Sequence, residues 1–208
     1  MDILKKYQFD NSTSNIIIIQ KDPKWIYPAM NQWIRVSQWE YITFLNSDDY
    51  YNDYVLADYL YFIEDDWNKE LYYGINNIVD SKWNFLHEYP NRSIYKKGLK
   101  TYILAMACYI FQSNTLYKRN LHSEYWLYNE NLKLVSDAEF FIRLAKAKIS
   151  NRFYNKIIAN FRMHDWSSSN NSKLQTKEFE IVKIAIFWKI LWTMMNIAYV
   201  LAKRILKK

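Results

Sequence analysis

Short, fully apolar runs alternate with amphipathic segments in this sequence, and the alternation limits the folds open to the chain. Residues 15–20 (NIIIIQ) and 40–45 (EYITFL) are runs of the kind that a parallel sheet buries on both faces. Residues 26–38 and 53–66 have the apolar spacing of helices, and residues 70–75 (ELYYGI) form a third apolar run. Strand, helix, strand, helix, strand implies right-handed crossovers, so we predict an α/β fold with a mostly parallel sheet flanked by helices.

The second half of the chain predicts a helix over residues 135–149 and a late strand or pair of strands over 152–163. With 208 residues, the chain is long enough for one domain with a substantial core. We predict one domain over residues 1–172 and a C-terminal helix over 173–208.

Charge and cysteine content narrow the partners and the compartment. The 28 Lys and Arg residues outnumber the 21 Asp and Glu residues, which favours an anionic partner such as a nucleotide, a nucleic acid or an acidic membrane face. A single cysteine, Cys108, excludes an internal disulfide, and no signal peptide pattern opens the chain, so we expect a cytoplasmic protein. A nucleic-acid binder ranks last, because the aromatic residues are spread through apparent core segments without a Lys or Arg cluster among them.

Two adjacent carboxylates, Asp48 and Asp49, follow the predicted strand at 40–45. Ligands of open α/β sheets gather at the carboxyl ends of the strands. Because adjacent carboxylates repel, the pair needs solvent or a cation, and oxygen ligands suit Mg²⁺ or Mn²⁺. The alternative is that one of them caps a helix beginning near Asp53.

Four segments in chain order resemble the family 2 glycosyltransferases, and in particular their bacterial polysaccharide-type branch. They are IYPAMNQWI (26–34), EYITFLNSDDYYND (40–53), LYNENLKLVSDAEFFIRLAK (127–146) and FRMHDWSSSN (161–170). The resemblance covers about residues 4–172. It implies the GT-A fold and the transfer of a sugar from a nucleotide-sugar donor to a glycan or lipid-linked acceptor, inverting and dependent on Mn²⁺ or Mg²⁺.

The resemblance also implies roles for individual residues. Asp49 would ligate the divalent ion that neutralises the diphosphate of the donor, and Asp48 would face the ribose or share the metal. Asp137 would be the general base that deprotonates the acceptor hydroxyl, with a helix N-cap after Ser136 as the alternative. The residues assigned to substrate binding besides Asp48 are Asn31, Gln112, Arg162 and His164. For the last two, an ordinary surface Arg and a satisfied His are the alternative.

Two neighbours of Asp137 are ranked below it. Glu139 lies two residues further on and faces elsewhere on a helix, so it is the second choice for the base. Arg143 is expected to pair within the helix.

The sequence departs from the family pattern in three ways. Pro28 stands where the branch has aspartate, and Phe111 where it has histidine. The family begins with two strands that hold the nucleotide, whereas Met1 falls in what resembles the following helix, so we expect those strands to be lacking. An inactive remnant of a glycosyltransferase is therefore the alternative function.

The tail over residues 181–208 is strongly helical and basic. Lys183 and Lys189 interrupt its apolar residues, and the uncharged run over 190–202 is shorter than the ~20 residues that span a bilayer. A basic amphipathic helix suits the acidic inner face of the cell membrane, where we expect peripheral contact. A helix packed on the domain itself or on a second subunit is the alternative.

Tryptophan stands where glycine is expected. The chain has 2 Gly and 9 Trp, whereas ordinary usage near 7% would give roughly 15 Gly. Seven tryptophans stand where the family pattern has glycine or where glycine would be natural at a turn. They are Trp25, Trp33, Trp39, Trp67, Trp83, Trp126 and Trp166. One hypothesis links them: UGA codons that the source organism reads as glycine were translated here as tryptophan. The alternative is genuine divergence in an inactive copy.

Overall fold

The computed structural model describes residues 25–89, 110–164, 171–185 and 195. The predicted strand at 15–20, Cys108 and Trp166 lie outside the described residues. The elements in chain order are α1 (Ile26–Val36), β1 (Tyr41–Ile42), β2 (Tyr50–Tyr51), α2 (Val55–Glu64), β3 (Leu71–Val79), β4 (Phe85–Tyr89), a 3₁₀ turn (Gln112–Asn114), β5 (Thr115–Lys118), α3 (Leu121–Glu124), α4 (Ser136–Ala147), β6 (Asn151–Arg162) and a helix over residues 172–185, called α5.

The predicted α/β fold is confirmed, with helices α1, α2 and α4 and strands β3 and β6 close to their expected positions. The sheet has the order β1-β5-β3-β6-β2, with β4 paired to β3. Among the described strands only β3 and β6 are parallel, so the sheet is mixed here rather than mostly parallel. For β4 the physical reason is connection length: it returns to β3 after a short turn, whereas a parallel partner needs a crossover of a dozen or more residues.

Strand β3 is the centre of the core. Its residues from Leu71 to Asn76 are all buried, which explains the continuous apolar run in the sequence. On one face Tyr73 and Ile75 belong to a cluster with α1, α4 and α5, and on the other face Tyr72 packs with α2. The sheet is therefore covered on both faces.

Helix α5 begins the predicted tail helix and packs against the domain. Glu178 and Val182 are only 4% and 5% exposed, and Val182 belongs to the main core cluster. Of the predicted tail over 181–208, the structure describes residues 181–185 and Met195, and there Val182 packs against the domain. No helix within the described ranges is long and apolar enough to cross a bilayer.

Candidate active site

The two adjacent carboxylates lie in a tight turn between β1 and β2. The amide of Asp49 donates to the carbonyl of Asn46 over 3.1 Å, and the following strand pairs with the end of β6. Helix α2 has Tyr54 at its N-cap and receives no side-chain cap there, so neither carboxylate caps it. The turn instead brings the pair beside Arg162 and His164.

Asp49 points into the protein. It is 8% exposed; its Oδ1 accepts the Arg162 backbone N–H at 3.0 Å, and its Oδ2 accepts Nδ2 of Asn46 at 3.1 Å. Burial raises the pKa of Asp49 to about 6, and the two donors partly oppose that rise. In this arrangement the carboxylate ties the turn to β6.

Asp48 points outwards and lines a cavity. Its Oδ2 lies 2.9 Å from Nε2 of His164. The Asp48 side chain is 39% exposed, compared with 22% for His164. Of the two adjacent carboxylates, the geometry therefore presents Asp48 to a ligand, and the assignment of Asp49 as metal ligand stays a prediction.

A cavity of about 1000 Å³ opens between α1, the start of α4, the Asn46–Asp48 turn and α5. Three of the predicted residues, Asp48, Asp137 and Gln112, line it together. Sequence reasoning missed Lys133 as a cation on this wall. The other lining residues are Trp25, Ile26, Tyr27, Ala29, Trp33, Asn46, Ser47, Phe111, Leu134, Val135, Ala138, Phe161, Asn171, Leu174, Gln175 and Phe179.

Asp137 is the second residue of α4 and faces α1. The N-cap is Val135, without a side-chain cap, so the alternative that Asp137 merely caps the helix does not hold. Its Oδ1 accepts the hydroxyl of Tyr27 at 2.9 Å and the backbone N–H of Ala138 at 2.8 Å. Burial raises the pKa of Asp137, while these donors lower it. A carboxylate with a raised pKa is suited to accept a proton near neutral pH.

Tyr27 is a site residue that sequence reasoning passed over. It stands on the apolar face of α1 with Met30 and Ile34, and it is 3% exposed. A buried tyrosine hydroxyl requires a polar partner, and that requirement was the available signal. The partner itself was not readable, because Asp137 is 110 residues away in the chain.

Asn31 has internal partners and is not on the cavity wall. It is 1% exposed, its Nδ2 donates to the Tyr128 carbonyl and to Glu130, and its Oδ1 accepts the Tyr128 amide. All these distances are 2.8–2.9 Å. Asn31 therefore clamps the chain before α4, which is a different role from the substrate contact predicted for it.

Arg162 is also held away from the cavity wall. Its guanidinium lies 4.3 Å from the centre of the Trp83 ring and donates to the Ser81 carbonyl. The predicted pairing of Arg143 within α4 is confirmed, since its Nε lies 2.9 Å from Oε1 of Glu139. This ion pair lines a second, separate cavity, so Glu139 faces away from Asp137.

The described residues could hold a divalent cation only if a bound ligand, such as a diphosphate, supplied the remaining oxygen atoms. Within the described ranges there is no group of three or more His, Cys, Asp or Glu side chains that could enclose a metal. Asp48, Asn46 and Ser47, all of which carry side-chain oxygen atoms, line the cavity wall. Magnesium is commonly held by one or two carboxylates plus substrate phosphates, and this donor set suits that arrangement.

Comparison with known proteins identifies the class. The family described as Glycosyl transferase family 2 matches residues 1–126, which is more than half of the 208 residues. The chain therefore belongs to glycosyltransferase family 2. No curated protein sequence gives a significant match.

The fold resembles solved structures of S. aureus TarS. A TarS 1-349 structure in complex with UDP superposes with a TM-score of 0.57 at 17% identity, covering 78% of this chain and 47% of that one. A second, in complex with UDP-GlcNAc, gives 0.59 at 16% identity, covering 82% and 48%. At this identity the likeness establishes the GT-A fold alone, and the chain spans about half the length of these structures.

Proposed function

We propose that this chain transfers a sugar from a nucleotide-sugar donor to a glycan or lipid-linked acceptor, with inversion and with the help of Mn²⁺ or Mg²⁺. The observation that carries the proposal is that Asp48 and Asp137, from two distant parts of the chain, line one cavity. The similarity to structures with UDP and UDP-GlcNAc supports a nucleotide-sugar donor. The excess of basic residues favours the same anionic class.

Asp137 would act as the base. The acceptor oxygen forms a bond to the anomeric carbon from the face opposite the diphosphate, the bond from that carbon to the diphosphate oxygen breaks, and the hydroxyl proton passes to Asp137. Tyr27 holds the carboxylate in place through its hydrogen bond. Asp48 would hold the cation with the diphosphate, and a divalent ion offsets the charge that develops on the leaving group.

Calorimetric binding of UDP with and without Mn²⁺ tests the assignment. Asp48→Asn should abolish the manganese-dependent part of UDP binding, whereas Asp137→Asn should keep UDP binding and lose turnover. Asp58→Asn, an exposed carboxylate on α2 that pairs with Lys156, is the matched control and should behave as the unchanged chain. Equal UDP binding by the Asp48 variant and the control would contradict the site. Absence of UDP binding by the unchanged chain would favour the inactive remnant.

The membrane contact is a separate part of the proposal. Residues 181–208 carry several Lys and Arg residues among apolar ones, which favours attachment to an acidic membrane surface. Co-sedimentation with anionic vesicles, compared with neutral vesicles, measures it. Equal binding to both vesicle types would contradict an electrostatic contact.

A further inference from the structure

We infer that the tryptophans at glycine-like positions of this sequence stand where the protein made by its source organism carries glycine. The first observation is backbone conformation. The described residues other than glycine with positive φ are Tyr54, Trp83, Trp126 and Lys148. Two of these four are tryptophans, with φ of 70° and 71°. Glycine adopts this left-handed region freely, whereas a side chain with a Cβ is strained there.

The second observation is exposure. Tryptophan is highly buried on average in folded proteins, yet none of the six described tryptophans is buried. Trp126 is 78% exposed and Trp39 64%. Trp33, Trp67 and Trp83 range from 38% to 44%. These indoles therefore contribute little to the core, and their removal leaves no large internal cavity.

The turn between β3 and β4 shows what glycine would do. Oδ1 of Asp80 accepts the backbone N–H groups of Lys82 and Asn84, both at 2.8 Å, which closes a tight loop. Trp83 occupies the left-handed position in that loop. Short hairpin loops of this kind place glycine at the left-handed position.

The substitution also changes the site, and this part rests on the proposed function. Lys133 Nζ lies 5.3 Å from the Trp25 ring centre, and the Arg162 guanidinium 4.3 Å from that of Trp83. Glycine at both positions removes both rings, so both cations lose an aromatic partner. Trp25 and Trp33 line the cavity, and glycine there widens it. Of these two cations, Lys133 lines the cavity, so it then becomes available to an anionic donor.

The gene sequence provides the direct test. We expect UGA codons at positions 25, 33, 39, 67, 83, 126 and 166, and peptides of the native protein with glycine masses at those positions. UGG codons would overturn the inference. The same gene then gives glycine or tryptophan at these positions, depending only on how UGA is translated.

The unfolding equilibria of glycine and alanine variants provide a second test. Trp83→Gly and Trp126→Gly should unfold less readily than the matched Trp83→Ala and Trp126→Ala variants, with unfolding constants about fivefold lower, because only glycine is unstrained at positive φ. At Trp39, which does not have positive φ, alanine should be at least as stable as glycine. The same ranking at all three positions would overturn the backbone argument.

The effect of these substitutions on the cavity is tested separately, through the affinity for UDP. The Trp25→Gly variant should bind UDP more tightly than the Trp25→Phe variant, which keeps a ring beside Lys133. Equal affinities would remove the consequence for the site while the codon result stands. Absence of UDP binding by every variant, including the unchanged chain, would instead count against the proposed function.

The structure independently assigns a positioning role to Glu178. This carboxylate on α5 is 4% exposed. Its Oε1 accepts the amide of Lys133 at 2.8 Å, and its Oε2 accepts those of Leu134 at 2.9 Å and Val135 at 3.3 Å. The three amides immediately precede α4, whose own N-cap residue supplies no side-chain cap. A negative charge at a helix N-terminus is also favourable.

Glu178 therefore fixes the first turn of α4, and with it the direction of Asp137 towards Tyr27. This role rests on the proposed function of Asp137 as base. Displacement of a catalytic group by about 1 Å costs up to ~10²-fold in rate. We expect Glu178→Gln, which places an amide donor against backbone donors, to lower kcat about tenfold or more while UDP affinity and donor KM change less than twofold.

The control is Glu180→Gln on the same helix, since Glu180 is exposed and pairs with Lys183 at 2.7 Å. Glu178→Asp, which keeps the charge, should recover part of kcat. All rates are taken per folded molecule, because a merely structural role would lower the midpoint of unfolding without changing kcat. Turnover by the unchanged chain with equal kcat in Glu178→Gln would overturn the positioning role. No turnover by the unchanged chain would instead overturn the proposed function.

Discussion

The hydroxyl of Tyr27 donates a hydrogen bond to Oδ1 of Asp137 across 2.9 Å, which joins the first turn of α1 to the first turn of α4. This bond lowers the pKa of Asp137 against the rise caused by burial. Tyr27→Phe removes the donor, so the pKa rises further and the base is protonated at higher pH. We expect the acidic limb of the pH profile of kcat to move to higher pH, while the exposed control Tyr61→Phe leaves it in place. An unmoved limb would show that another group is titrating.

Asp49 should make stability depend on pH. Burial raises its folded-state pKa from 3.8 to about 6. The stabilising effect of the proton is therefore fully present below the unfolded pKa and is lost as pH rises through about 6. We therefore expect the unchanged chain to lose unfolding free energy relative to Asp49→Asn between pH 4 and pH 7, by on the order of 2–3 kcal/mol. The thermal midpoints of the two proteins, compared at each pH, measure this loss. A difference independent of pH would contradict the burial of this carboxylate.

Gly74 is a glycine that the packing of the sheet requires. A Cβ at this position would lie 2.4 Å from Cδ1 and 2.8 Å from Cγ1 of Ile158. Because Ile158 is itself buried, Gly74→Ala should destabilise the fold by about 1–3 kcal/mol. Urea unfolding measures this, and adding Ile158→Val, which removes the nearest methyl, should restore part of the loss. A Gly74→Ala variant with unchanged stability would show that β3 and β6 do not pack this closely.

A substitution of Asn31 tests whether this residue is a structural clamp or a substrate contact. Asn31→Ala leaves the buried amide and carbonyl of Tyr128 without their partner. We expect a loss of about 3 kcal/mol in unfolding free energy, with Gln32→Ala as the neighbouring control. An unchanged midpoint with a raised donor KM would return Asn31 to the substrate site.

His164 should report on the cation. Its Nε2 is 2.9 Å from Asp48, so Mn²⁺ bound with UDP at that carboxylate should broaden the NMR signals of the His164 ring more strongly than those of the other two histidines. Asp48→Asn should abolish the selective broadening, since it removes the ligand but keeps the side-chain size. Equal broadening of all three histidines would indicate that manganese binds without a defined site.

Several features were predictable because they depend on local spacing. The helix over Val55–Glu64 follows from its apolar period, and the buried strand over Leu71–Val79 from its continuous apolar run. The placement of Asp48 and Asp49 in a turn follows from their position after a strand. The antiparallel pairing of β1, β2 and β5 was not predictable, because their partner strands are distant in the chain.

The amino-acid sequence by itself determined helices α1, α2 and α4, strands β3 and β6, the family and the candidate carboxylates, because period and motif are properties of neighbouring residues. Only the tertiary structure decided which groups act together. It turned Asp48 to the cavity and Asp49 into the protein, gave Asp137 the hydroxyl of Tyr27, and closed Asn31 onto the backbone of Tyr128. Burial and hydrogen bonding between residues about 100 positions apart set these contacts, and they exist only once the sheet has brought the distant segments together.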